Sequence, residues 1–137
     1  MHDRELFIDG RWRAARKRRR ATIADPATGE LVGSTAIADA NDIDDAVAAA
    51  KRALPLWAGT HADGRARILH RAGDLIVERL DAIADLLTRE QGKPIPDAVK
   101  EIRFGVEVIR YYAEEGRRIG GSNWLAFWMR KRRRPSS

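Results

Sequence analysis

Hydrophobic and polar positions follow two different periods along the chain, and the change falls near Asp39. Before it, residues 6 to 38 read as short strands separated by turns. Leu6-Phe7-Ile8 and Trp12 flank Asp9-Gly10, a dipeptide that favours the left-handed conformations of a tight hairpin. A second pair follows: Thr22 and Ile23 lead into Asp25-Pro26-Ala27-Thr28-Gly29, and extended sequence resumes at Leu31-Val32 and Ser34 to Ile37. Proline presets that turn and glycine supplies its permissive position.

From Asp39 the period lengthens to that of a helix. A first helix is expected over 39–57, with Ile43, Val47, Ala50, Leu54 and Trp57 on one stripe and acids with Lys51-Arg52 on the other face. Asp39 is the expected N-cap, with Asp42 completing a capping-box pair. Pro55 sits in the last turn, which points to an end at Ala53 or Leu54. A longer helix is expected over 62–91, striped by Leu69, Ala72, Ile76, Leu80, Ile83 and Leu87. Thr60 with Asp63 would cap its start, and Gly92 before Lys93-Pro94 would stop it. A third, over 96–118, opens on Pro96, whose missing N–H costs nothing there, and carries Val99, Ile102, Val106, Ile109 and Ala113. Gly105 weakens it by roughly 1 kcal/mol without breaking the pattern. The arm has little apolar content of its own, so it must pack on something these elements do not fully supply.

At 137 residues the chain is long enough for one ordinary domain and its core, not two. It contains no cysteine, which removes disulfides, thiolate metal sites, redox CxxC chemistry and any sulfur nucleophile from these residues. The formal charge of +6 is concentrated in two runs, Arg16-Lys17-Arg18-Arg19-Arg20 and Arg130-Lys131-Arg132-Arg133-Arg134. They hold ten of the 26 bases, leaving 16 bases against 20 acids elsewhere, so the rest of the chain is net acidic. A nucleic-acid or anionic-surface reading must therefore rest on the runs alone. The longest apolar run, Trp124 to Met129, is too short to cross a bilayer, and the charged start Met1-His2-Asp3-Arg4-Glu5 forms no secretory signal. The expected location is cytoplasmic.

Five segments, in order, carry a family resemblance. Leu6-Phe7-Ile8-Asp9-Gly10-Arg11-Trp12, Asp25-Pro26-Ala27-Thr28-Gly29-Glu30, and the stretch from Asp42-Ile43-Asp44-Asp45 to Ala50 come first. Arg65-Ala66-Arg67-Ile68-Leu69 and Glu90-Gln91-Gly92-Lys93-Pro94-Ile95 follow, the latter leading to Arg110-Tyr111-Tyr112-Ala113. Over roughly residues 6 to 119 this resembles the amino-terminal segment of the NAD(P)-dependent aldehyde dehydrogenase family, leaning toward its succinate-semialdehyde branch. The resemblance implies an α/β fold, of which this segment supplies a β-hairpin arm followed by three amphipathic helices. Residues 1–120 would be the amino-terminal part of the cofactor-binding domain, wrapping it and adding to its helical layer.

The family oxidises aldehydes to carboxylic acids with NAD or NADP. Its chemistry uses a cysteine thiolate, a glutamate base, an asparagine amide and a nucleotide-binding βαβ region, all beyond the matched segment. This chain has neither the cysteine nor a G-x-G-x-x-G turn, and Gly120-Gly121 follows a helix instead of opening one. The expectation is a chain that alone neither binds the cofactor nor turns over. Residues 121–137, an aromatic and basic tail expected to be disordered, depart from the family pattern, as does the run Arg16 to Arg20. Arginine outnumbers lysine 21 to 5, which suggests GC-rich coding, and the expectation is a dehydrogenase reading frame cut by a frameshift or premature stop.

Among individual residues, Glu90 stands where the family often places an acid that binds a monovalent cation together with backbone carbonyls near Ile23 and Ala24. The plainer reading, a solvated glutamate at a helix end, is favoured. Lys93 is read as a partner of the helix C-terminal dipole, not as a catalytic lysine. His2, His61 and His70 lack metal spacing, and Asn41, Asp42, Asp44 and Asp45 suit a helix N-terminus better than a calcium loop. Trp124, Phe127 and Trp128 beside the arginines could stack bases, but an unselected tail has the same composition. Tyr111 and Tyr112 read as helix residues at a core edge. The expected partners are full-length aldehyde dehydrogenase subunits or chaperones, met through an apolar face left exposed; nucleic acid is the weaker alternative.

Overall fold

The computed structural model describes residues 2–118. The tail readings on Trp124, Phe127, Trp128 and the second basic run lie outside the described residues. Strands β1 (His2–Arg4), β2 (Leu6–Ile8), β3 (Arg11–Arg13), β4 (Arg20–Ala24) and β5 (Leu31–Ala36) precede helices α1 (Ala40–Gly59), α2 (Ala62–Glu78), α3 (Leu80–Gln91) and α4 (Ile95–Arg118).

Asp9 and Gly10 both take positive φ, 55° and 75°, and join β2 to β3 as the dipeptide predicts. Phe7 and Trp12 face each other across this hairpin with ring centroids 5.0 Å apart. The second turn is held by the Asp25 carboxylate, which accepts from Ala27 N at 2.8 Å, and by Gly29 at φ 75°. It pairs β4 with β5 antiparallel, with a register shift between Ile23 and Ala24. The sequence reading did not include β1. It lies parallel to β5, giving a three-stranded sheet of order β1-β5-β4.

The capping box at Asp39 forms as expected: Asp39 Oδ1 accepts from Asp42 N at 3.0 Å, and Asp42 Oδ2 accepts from Asp39 N at 3.1 Å. The helix does not stop before Pro55, however. It continues to Gly59, where Thr60 turns extended, its N–H donating to Trp57 O and its hydroxyl to Leu56 O. These two donors satisfy the Leu56 and Trp57 carbonyls of the final turn, while Pro55 costs only the bond to the carbonyl of Lys51, which lies on an exposed residue. At the start of α2 the cap is His61, whose Nδ1 accepts from Asp63 N at 3.4 Å, and not Thr60.

The single helix expected over 62–91 is two. Arg79, at φ −112° and ψ 15°, closes α2 by donating to Ile76 O and Val77 O and also opens α3. The break leaves no mark in the stripe, because Ile76, Leu80 and Ile83 keep helical spacing across it. The bend lets α2 and α3 both pack on α4 while α3 also reaches β4. Pro96 lies in the first turn of α4, as expected.

The buried apolar set among the described residues is thin. Six of its nine members are alanines, joined by Val32, Leu80 and Val106. The stripes of α2, α3 and α4 turn inward as expected, that of α1 does not. Ile43, Val47, Leu54 and Trp57 are 42–61% exposed, and the inward face of α1 presents Asp42 and Ala49. The expected core stripe of α1 is therefore a surface stripe, because polar contacts at its N-terminus set the rotation of the helix.

Gly92 ends α3 at φ 70°, its N–H donating to Thr88 O at 2.7 Å. A Cβ there would come within 2.9 Å of Pro26 Cγ, so glycine is required both for conformation and for approach to the β4–β5 turn. Gly92→Ala is expected to lower stability by about 1–3 kcal/mol, read as a drop in the urea midpoint with unchanged slope.

Candidate functional site

The densest polar constellation joins the end of β3 and the segment after it to the first turns of α1. Asp42 is 1% exposed. Its carboxylate accepts from Asp39 N, from Arg16 N at 3.2 Å and from Arg13 Nη2 at 3.3 Å. One turn on, Asp45 accepts from Arg13 Nη2 at 2.8 Å and from Arg16 Nη2 at 2.6 Å, while Lys17 Nζ lies 3.9 Å from Asp39. Arginines three apart meet aspartates three apart, and the acids also sit on the positive end of the helix dipole. Hydrogen bonds from Arg13 and then Arg16 hold the Asp45 carboxyl below the usual carboxylate range, and Asp45 in turn raises the Arg16 guanidinium.

Arg20 belongs to a second network. It donates to Ser34 Oγ at 2.8 Å, Glu5 Oε1 at 2.5 Å and Arg4 O at 3.1 Å, and Ser34 Oγ donates to Asp3 Oδ1 at 2.7 Å. Three members of the first basic run thus face internal acids, and Arg18, at φ 49°, bonds its backbone N–H to Ala15 O. All five members of the run nevertheless remain exposed.

The end of α3 meets the β4–β5 turn through Gly92 and Pro26, bringing the region of Glu90 toward that of Ile23 and Ala24. Glu90 itself is exposed. Lys93 pairs with Glu101 of α4 instead of serving only the end of α3. His61 is a helix cap, and His70 Nε2 lies 2.7 Å from Glu114 Oε1, bridging α2 to α4. That contact and Arg117 hold the Glu114 carboxyl low, and Arg117 Nε reaches Asp63 at 2.9 Å. Among the described residues no three His, Asp or Glu side chains converge as a metal site.

The one strand-to-helix transition among the described residues, β5 to α1, has its helix N-terminus filled by the Asp39 and Asp42 carboxylates, where a pyrophosphate would need free N–H groups. An open groove of about 570 Å³ along α2, lined by Thr60, Gly64, Arg67, Ile68, Ala72 and Leu75, brings together no acid, base or nucleophile pair. No helix among them is long and apolar enough to cross a membrane.

Comparison with known proteins identifies the setting of these elements. The family model described as the aldehyde dehydrogenase family matches residues 12–135. The chain belongs to the aldehyde dehydrogenase family. It is 38% identical over 115 residues to the non-phosphorylating aspartate-semialdehyde dehydrogenase of Halomonas elongata, covering 84% of this chain and 23% of that protein. It is also 38% identical over 126 residues to the NADP(+) succinate-semialdehyde dehydrogenase of Escherichia coli K12, covering 88% and 26%. The crystal structure of succinate-semialdehyde dehydrogenase from Burkholderia pseudomallei superposes with a TM-score of 0.82 at 38% identity, over 85% of this chain and 24% of that one. The expected family, fold and succinate-semialdehyde-like relatives are thereby shown. The chain spans about a quarter of the length of these aldehyde dehydrogenases, and the family match takes in residues 121–135 as well.

The sequence reading missed the Arg13–Asp42–Asp45 clamp in this dehydrogenase segment, although the matched spacing of its two arginines and two aspartates was a usable signal. Asp42→Ala is expected to cost about 2–4 kcal/mol in denaturant unfolding, because it strands the backbone N–H groups of Arg16 and Asp39 and removes one of the two carboxylates that hold Arg13. The depressed Asp45 carboxyl adds stability that is complete above about pH 5 and is lost as the pH falls below 4. Asp45→Asn should therefore flatten the dependence of the urea midpoint on pH between 5 and 3.

Proposed function

We propose that this chain is a scaffold segment of an NAD(P)-dependent, aldehyde-oxidising dehydrogenase and is not a catalyst by itself. The exposed α1 stripe carries this reading: Ile43, Val47, Leu54 and Trp57 form an amphipathic helix face with no cover among the described residues. Covering them with the remaining segments of a dehydrogenase fold, or with a full-length dehydrogenase subunit, would remove that apolar surface from water. A chaperone that holds unassembled subunits would meet the same face.

The 137 residues contain no cysteine, so they offer no thiolate to attack an aldehyde carbon. The acid-filled N-terminus of α1 likewise argues against cofactor binding by this segment alone. Semialdehydes of dicarboxylic acids are the substrate class we propose for the assembled enzyme, because the succinate- and aspartate-semialdehyde dehydrogenases are among the relatives. NAD and NADP both remain within the proposal. Glu90, with the carbonyls of Ile23 and Ala24, is proposed as a monovalent-cation position of the assembled fold, supported by the approach of the α3 end to the β4–β5 turn.

The purified chain, given succinate semialdehyde and either NAD or NADP, is expected to produce no absorbance of reduced nicotinamide; turnover would overturn the reading. Co-expression with a dehydrogenase relative lacking its matching quarter should yield a stable complex. Val47→Asp with Leu54→Asp should abolish that complex while changing the stability of the isolated chain by less than about 0.5 kcal/mol, since both side chains are already exposed.

A further inference from the structure

The side chains of the first basic run divide by what they meet. Arg16, Lys17 and Arg20 face Asp45, Asp39 and Glu5. The Arg18 and Arg19 guanidiniums make no ion pair or hydrogen bond among the described residues, and both are exposed. Arg18, Arg19 and Arg20 share one concavity of about 240 Å³ with Glu5, over small side chains that include Ala15 and Ala36.

The backbone fixes these walls. Arg18 sits at φ 49°, a left-handed conformation unfavourable for a residue with a Cβ, and its N–H donates to the carbonyl of buried Ala15 at 2.9 Å. Ile37 N donates to Arg19 O at 2.9 Å and Arg20 lies in register with Ala36, so the run is tied to the end of β5. Arg20 is held in turn by Glu5, Ser34 and the carbonyl of Arg4. Three guanidiniums around one concavity repel one another, and Glu5 compensates only one of them. Guanidiniums keep their charge at neutral pH, and their planar forks match the oxygens of a phosphate group.

We propose that this concavity binds a phosphate monoester as its dianion. The two uncompensated arginines match the roughly two negative charges that such a group carries near neutral pH. The volume falls below the roughly 300–1,000 Å³ usual for larger organic ligands, so the phosphate carries only a few carbon atoms, which rest against Ala15 and Ala36. A nucleic-acid strand is the poorer fit, since it needs a tract of uncompensated bases and Arg16, Lys17 and Arg20 each face a carboxylate.

Titration of the full 137-residue chain with methyl phosphate at about pH 7.5, followed by two-dimensional amide NMR, tests this. The amides around Arg18, Arg19 and Ala36 should shift together and saturate with a dissociation constant of about 1 mM or below. Dimethyl phosphate, a monoanion resembling the nucleic-acid backbone, should bind at least about tenfold more weakly. Arg18→Gly removes one guanidinium and also relieves the left-handed backbone, so affinity should fall about tenfold while the urea midpoint does not fall. Arg19→Gln should lose a similar factor, and the double variant should show no saturable shift. Lys17→Gln, whose side chain lies outside the concavity, should bind within about twofold of the unsubstituted chain. Amides indifferent to methyl phosphate overturn the proposal, as does undiminished binding in the double variant. Equal binding of the two phosphates, or an equal loss in Lys17→Gln, also overturns it and marks a diffuse polyanion surface.

Discussion

The structure depends on a carboxylate buried at the start of a helix. Asp42 gives up water almost completely, and that burial would be prohibitive without compensation. Two backbone N–H groups and the Arg13 guanidinium supply it, with Asp45 engaging the outer nitrogens of Arg13 and Arg16. Satisfying Asp42 from the arm fixes the rotation of α1 about its own axis. Once Asp42 points inward, Ile43, Val47, Leu54 and Trp57 must point elsewhere. The exposed stripe is thus a direct result of the clamp, and the clamp decides which surface the segment presents to the rest of an enzyme.

This explains why the basic run misleads when counted as charge. Arg16, Lys17 and Arg20 look like a polyanion-binding patch along the chain, yet each faces carboxylates brought close only by folding. Arg20 links Glu5, Ser34 and the backbone of Arg4, so it joins β1, β4 and β5 where few apolar side chains are available. Val32 and Ala15 are the buried apolar residues of the arm. Polar networks therefore carry much of the arm's cohesion, and stability should be more sensitive to acid than in a domain with a large apolar core.

Several local signals were read correctly: Asp9-Gly10 required a hairpin, Asp39 and Asp42 a capped start, and Gly92 a left-handed stop. Two were not, since α1 runs past Pro55 and His61 caps α2 in place of Thr60. The larger failures have another origin. Arg79 breaks a helix without glycine, proline or any change of phase, because the break answers the need of two helices to reach α4 and not a local preference. Strand β1 reads as charged sequence, and its pairing rests on β5, some thirty residues away. Periodicity finds an apolar face on α1 but cannot say whether the cover lies within the same 137 residues. Glu90 was legible only through the resemblance: folding brings its helix end toward Ile23 and Ala24 but leaves the side chain exposed.

The α2–α4 contact shows why large apolar residues end up outside. A Cβ on Gly73 would lie 3.4 Å from Val106 Cγ1 and 3.5 Å from Arg110 Nε, so the two helices approach across a seam of glycine and alanine. Such a seam excludes bulky side chains, and its edges are held by Arg110–Asp74, His70–Glu114 and Arg117–Asp63. Close approach fixes α4 tightly but leaves Phe104 and Tyr111 no place inside. Each alanine in the seam gains little from burial, so the segment retains only a thin margin of stability by itself. Its larger apolar residues sit on the outer faces of α1 and α4, where burial by a partner would contribute more than the internal core does.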